Sequence, residues 1–132
     1  GVKVELNTVG DYQMFANERD NKNYDIFVGG WFSDYNDPLD FLNVMKTGVY
    51  DSYGLYSNSE YDSLIDSLTG ENDNAKRLEI YQKLEDLLVA QDCGVAPLYY
   101  SDKHYYYQNW VKDFYTSSFG ASQELYRASV QK

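Results

Sequence analysis

The residue types in the stretch GWFSDYNDP, residues 30–38, admit three kinds of chemistry. Asp34, Asn36 and Asp40 could offer hard oxygens to calcium, Asp34 and Asp37 could act as an acid/base pair on a sugar, and Trp31 with Asp34 could form the rim of a binding cleft. Calcium fails on spacing: an EF-hand loop begun at Asp34 needs glycine at its sixth position, where Leu39 stands, and glutamate at its twelfth, where Met45 stands. Two acids three residues apart in a loop carry no specific signal for sugar hydrolysis. The cleft reading uses more of the residues. Gly29 and Gly30 would let a ligand backbone come close, Trp31 offers a flat apolar wall, and Asp34 offers a charge that is costly to bury without a cationic partner. An ammonium group is the natural partner for it. The alternative, in which Asp34 caps a turn or the helix that starts at Pro38, stays open at this point.

Other reactive chemistry finds little support. The chain has one cysteine and one histidine, Cys93 and His104, so no set of zinc ligands can be assembled from them. Cys93 reads as a small apolar residue buried near a helix end, and His104 as a polar side chain on a tyrosine-rich strand or turn. No motif links Ser33 to His104 as nucleophile and base. Gly29-Gly30 lacks the further glycine and the Lys-Ser/Thr of a phosphate loop. The expectation is a protein that is not an enzyme and needs no metal and no cofactor.

Bulk properties narrow the partners. Eleven basic against twenty-one acidic residues give a net charge of -10, which repels nucleic acid phosphates and anionic bilayers alike. Fifteen tyrosines favour half-wet recognition surfaces, since tyrosine brings contact area with few rotatable bonds and a polar tip. No stretch approaches the roughly 18 apolar residues of a membrane span. The 132 residues suit one domain. They open on the strand-like GVKVEL without a methionine, so the chain reads as a piece of a longer protein whose upstream part could carry a targeting signal.

The elements that would position the loop are read from periodicity. Residues 2–6 alternate as a half-buried strand, and DYQMFANERDNK makes a short helix with Tyr12, Phe15 and Arg19 on one side. YDIFVGGW is a nearly continuous apolar run suited to a central parallel strand, so strand, helix and strand form a right-handed crossover. PLDFLNVMKTG predicts a helix begun by Pro38 and ended near Gly48, followed by a loop to Tyr56. Ser57 with Glu60 makes a capping box for a helix with the stripe Tyr61, Leu64, Ile65 and Leu68, ending at Gly70. Asn72 or Asp73 caps a longer helix lined by Leu78, Tyr81, Leu84 and Leu88, packed antiparallel on the one before. VAPLYYSDKHYYYQNW predicts two short strands or an irregular hairpin, its tyrosines packed on a helix or presented as a docking surface. A last strand is expected over 124–130.

Taken together, NYDIFVG, GWFSDYNDP and DFLNVM resemble the extracytoplasmic solute-binding proteins of peptide ABC transporters, the oligopeptide- and dipeptide-binding family. LYSNSEYDSLIDSL is similar to that family's Tyr-Ser-x-x-x-Asp-x-Leu-Ile helix start, and RLEIYQKLEDLLVAQDCGVAPLYY to its helix followed by a strand ending Pro-Leu/Val-Tyr-Tyr. The likeness runs over residues 1–128. It implies an α/β architecture, a partial lobe of a two-lobed periplasmic-binding-protein-like fold of type II with a mixed sheet flanked by helices. Residues 1–132 would be a single domain, the C-terminal portion of a substrate-binding lobe.

The resemblance also implies a role and a set of residues. The clamp closes on an extended peptide and delivers it to permease subunits, outside the cytoplasm, either periplasmic or lipid-anchored at the cell surface. By position Asp34 matches the acid that holds the peptide's amino terminus, and Trp31 the aromatic lining a side-chain pocket. Tyr12 stands where relatives often carry tryptophan, and Arg19 matches a basic residue some relatives use toward longer peptides. Gly30, Ser33 and Tyr35 flank Asp34 as further ligand-binding candidates, with Ser52 in the loosely matching loop YDSYG. Val28 departs from relatives that carry arginine there. Some family members take sugars or nickel complexes instead. The rest of the receptor, including the opposite lobe, is an expected partner. The alternative from another class is a small protein-interaction domain with a tyrosine-rich surface.

Overall fold

The computed structural model describes residues 1–49, 55–120 and 125–131. Its order is helix α1 (Tyr12–Asp20), α2 (Leu39–Asn43), α3 (Ser59–Ser67), α4 (Asn74–Glu85), a π-helical turn (Asp86–Gln91), and strands β1 (Val111–Lys112) and β2 (Ser129–Val130). Each longer helix starts where a short polar side chain can satisfy free backbone N–H groups. Asp11 Oδ1 accepts from the Met14 amide at 2.8 Å, and Asp73 Oδ1 from the Ala75 amide at 2.9 Å. For α3 the cap is Asn58, whose Oδ1 takes the amides of Glu60 and Tyr61 at 2.8 and 3.1 Å. The expected capping box at Ser57 is therefore displaced by one residue, and the Ser57 hydroxyl instead accepts from Thr47.

The core is helical. Leu42, Val44 and Met45 from α2 and its exit, Tyr56, Tyr61, Ile65 and Leu68, and Tyr81, Leu84, Leu87 and Leu88 form one buried cluster, with Trp31 and Val95 packed on its margin. Of the stripe expected on α3, Tyr61, Ile65 and Leu68 are buried and Leu64 packs half-buried against the cluster. On α4 Leu78 is 57% exposed, contrary to expectation: at 3.6 residues per turn it lies about 120° around the helix from the buried Leu84, at the margin of the inward face. Tyr61 is wholly buried and its hydroxyl donates to the Leu42 carbonyl at 2.8 Å, which ties α3 to α2.

The sheet differs most from expectation. Among the described residues it consists of β1 and β2 alone, antiparallel, with Val111 opposite Val130 and Lys112 opposite Ser129. Residues 2–6, 24–28 and 95–100 carry no ladder, so neither the crossover unit nor a hairpin forms, and Val2, Ile26, Leu98 and Tyr100 stand 91, 84, 74 and 95% exposed. A strand needs a neighbour for its N–H and C=O groups, and alternation encodes only the face to be covered. Cys93 also departs from expectation: it is exposed, with a φ of 51° just beyond the π turn, where the backbone reverses. No helix among the described residues is long and apolar enough to cross a membrane.

Candidate functional site

Residues 30–38 make an irregular loop leading into α2, and a single buried carboxylate organises it. Asp40, 6% exposed in the first turn of α2, accepts through Oδ2 both the Trp31 Nε1–H at 3.1 Å and the Asp34 backbone N–H at 2.8 Å. A carboxylate shut away from water needs such donors, because an unsatisfied one would cost several kcal/mol, roughly. The Trp31 ring lies half-buried against the helical core. The Asp34 side chain faces solvent, and among the described residues it joins no ion pair and accepts no hydrogen bond.

The capping role left open for Asp34 falls to Asp37, whose Oδ1 accepts from the Leu39 amide at 2.9 Å. Asp37 is also where the loop is fastened to α4. Arg77 Nη2 donates to its Oδ2 at 2.7 Å, the Tyr81 hydroxyl donates to its Oδ1, and Arg77 donates in turn to the Tyr81 hydroxyl. Burial opposes ionisation of Asp37, but the Tyr81 and Leu39 hydrogen bonds and the Arg77 charge outweigh it and hold the carboxyl below its ordinary 3.8. Burial, then the Asp37 hydrogen bond and charge, push Tyr81 up to about 12.

The C-terminal part of the chain closes the other side of the loop. Gly120 donates its N–H to the Ser33 carbonyl at 2.9 Å, and Lys103 Nζ sits 4.9 Å from the centre of the Phe32 ring. Within the loop the Ser33 hydroxyl donates to the Tyr35 carbonyl, which also accepts from the Asp37 amide at 3.0 Å. Trp31, Ser33, Asp34 and Tyr35 are thus brought together on one braced loop. Gly30 borders it with open space around the position a Cβ would take.

The remaining candidates lie elsewhere or beyond description. Tyr12, 76% exposed, and Arg19, paired with Asp20 at 2.7 Å, belong to α1. That helix reaches residues 24–27 through Phe15 stacked on Phe27, with ring centroids 5.0 Å apart. Ser52 lies outside the described residues. An open concavity lined by Asp113, Phe114, Tyr115, Tyr126 and Arg127 contains none of the candidates. Among the described residues no group of three or more His, Cys, Asp and Glu could hold a metal ion. What the loop offers chemically is an exposed carboxylate on a held backbone beside an indole bonded to Asp40, which suits binding a cation with an apolar neighbour.

Sequence reasoning overlooked the brace. By type and spacing Asp40 reads only as a possible calcium oxygen, and Arg77 matches none of the motifs for chemistry. The available signal was Arg77 with Tyr81 one helical turn apart at the edge of the apolar stripe, where a cation needs an acid to meet it.

Comparison with known proteins places these features in a family context. No family model matches the chain. It is 31% identical over 115 residues, 86% of its length, to the oligopeptide-binding protein OppA of Bacillus subtilis. It is likewise 31% identical over 111 residues, 84% of its length, to the periplasmic oligopeptide-binding protein OppA of Salmonella typhimurium. In each case it spans 20% of the relative's length. A solved oligopeptide ABC transporter substrate-binding domain from Bacillus anthracis superposes with a TM-score of 0.83 at 28% identity, covering 95% of this chain and 24% of that one. The fold is therefore that of a fragment of such substrate-binding domains, and these relatives are named for binding, not for catalysis.

Proposed function

We propose that this chain, homologous over most of its length to a segment of the oligopeptide-binding proteins of ABC transporters, forms the C-terminal portion of one lobe of an extracytoplasmic peptide receptor. In this reading the opposite lobe and the rest of the sheet belong to a longer chain, the peptide is held between the lobes, and the loaded receptor docks on permease subunits. The receptor works in the periplasm or on a lipid anchor and carries out no catalysis. The observation that carries the site assignment is Asp34: its carboxylate is exposed and, among the described residues, unpaired, while its backbone N–H is held by Asp40. Asp34 anchors the peptide's ammonium group, Trp31 walls the neighbouring side chain, and Gly30, Ser33 and Tyr35 border the peptide backbone. Tyr12 and Arg19 on α1 contribute further ligand contacts, and Ser52, outside the described residues, is the remaining ligand-binding candidate.

The test is calorimetric titration of the longer receptor with an oligoalanine peptide. Asp34→Asn is expected to lose about 2 to 5 kcal/mol of binding, the cost of leaving a buried ammonium unpaired. Unchanged affinity rejects the assignment.

A second reading, a protein-interaction domain, is favoured by the exposure of Tyr99, Tyr100 and Tyr106, at 82, 95 and 94%. It requires these rings to stay accessible in the longer receptor. Protection of them there from a tyrosine-modifying reagent decides for the receptor lobe.

A further inference from the structure

We infer that Asp40 is the positioning residue of this site, holding the ligand's charge anchor and its apolar wall in one geometry through a single oxygen. The inference rests on reading Asp34 as the ammonium anchor. Asp40 is 6% exposed, so it is out of a ligand's reach and acts through the two groups it holds. Its Oδ2 takes the Trp31 indole N–H at 3.1 Å and the Asp34 amide at 2.8 Å. Those donors belong to residues three apart in an irregular loop, so one oxygen ties the Trp31 ring directly to the Asp34 backbone, beside the packing of Trp31 on the core and the Gly120 contact to Ser33. α2 supplies the rigidity: Asp40 lies between Leu39, packed on the core, and Leu42, buried within it and bonded through its carbonyl to Tyr61. The loop is thereby referenced to the helical core, and a site is useful only when its supporting groups keep it within a fraction of an ångström.

A residue with this role governs discrimination between charged and neutral peptide ends, and not stability alone. In the longer receptor with Trp110→Phe, so that Trp31 is the emitter within this segment, the probes are a free-ended oligoalanine peptide and its N-acetylated form. The parent is expected to prefer the free end. Asp40→Ala is expected to lower that preference about tenfold, roughly 1.4 kcal/mol, and to shift the Trp31 emission. Asp40→Asn, which keeps an acceptor oxygen, restores most of the preference. Asp40→Glu keeps charge and acceptor but moves the oxygen by one methylene, and is expected to lower the preference even if the alanine variant does not fold. Parental preference and emission in the glutamate variant, and in any folded alanine variant, overturn the role of Asp40 while leaving Asp34 as the anchor. A parent that binds both probes equally rejects the Asp34 reading itself, whatever the emission shows.

Discussion

Arg77 in α4 donates to Asp37, forty residues earlier in the chain, at 2.7 Å, with 19 and 30% of the two side chains exposed. This contact joins the candidate loop to the longest helix. Arg77 further donates to the carbonyls of Leu68 and Glu71 at 3.3 and 3.2 Å, so one guanidinium closes the end of α3, the turn and the loop together. Arg77→Ala is expected to cost about 2 to 3 kcal/mol, since it removes a charged donor from Asp37 Oδ2 and one donor from each of the two carbonyls. Arg77→Lys recovers only part, because an ammonium cannot reproduce the planar fork. Urea unfolding of the chain checks both, and an alanine variant within about 0.5 kcal/mol of the parent, the range of an ordinary surface change, would show the bridge to be idle.

The same triad predicts two pH limits. Asp37 in the folded chain lies below its ordinary 3.8, so its contribution is complete above that value and is lost as pH falls through the lowered one. Asp92, lowered by hydrogen bonds from Tyr56 and Asn58, adds to the same acid limb. Tyr81, raised from 10.0 to about 12, behaves oppositely: its contribution is complete below pH 10 and declines as pH rises toward 12. Urea midpoints across pH are expected to fall at both ends. Asp37→Asn should flatten part of the acid limb, and Tyr81→Phe part of the alkaline one.

What could be read from sequence divides by physical cause. The α3 stripe of Tyr61, Ile65 and Leu68 was legible because helical periodicity encodes its own buried face. The cap was misplaced from Ser57 to its neighbour because both residue types cap, and Asn58 reaches two amides. Residues 2–6 have a strand's alternation, yet pairing is a property of the partner and is absent from the pattern. Trp31 and Asp34 were legible as a ring and an acid on one loop. Asp40 was not, because nothing in an aspartate's type tells that it is turned inward to hold them.

Gly120 predicts a coupling between the C-terminal segment and the site. Its φ is 60°, and a Cβ there would lie 3.3 Å from the Asp34 carbonyl oxygen, while its N–H holds the Ser33 carbonyl. Gly120→Ala is expected to cost about 1 to 2 kcal/mol through the left-handed backbone alone. It should also weaken binding of the free-ended peptide by the longer receptor, because the crowded atom belongs to Asp34. Full peptide affinity alongside reduced stability would confine Gly120 to a structural role.

Two leucines test where the core lies. Leu84 is fully buried, so Leu84→Ala should cost about 2 to 5 kcal/mol through lost burial and the cavity left behind. Leu78, one of the stripe residues in the sequence pattern, is 57% exposed, and Leu78→Ala should stay within about 0.5 kcal/mol in the 132-residue chain. The contrast follows from the helical repeat, which sets Leu78 about 120° around α4 from Leu84. If chemical unfolding found Leu78→Ala as costly as Leu84→Ala, α4 would be rotated from the face described, and the reach of Arg77 and Tyr81 to Asp37 would fail with it. Comparable insensitivity at Leu84 would instead mean that the helical core does not carry the stability of the chain.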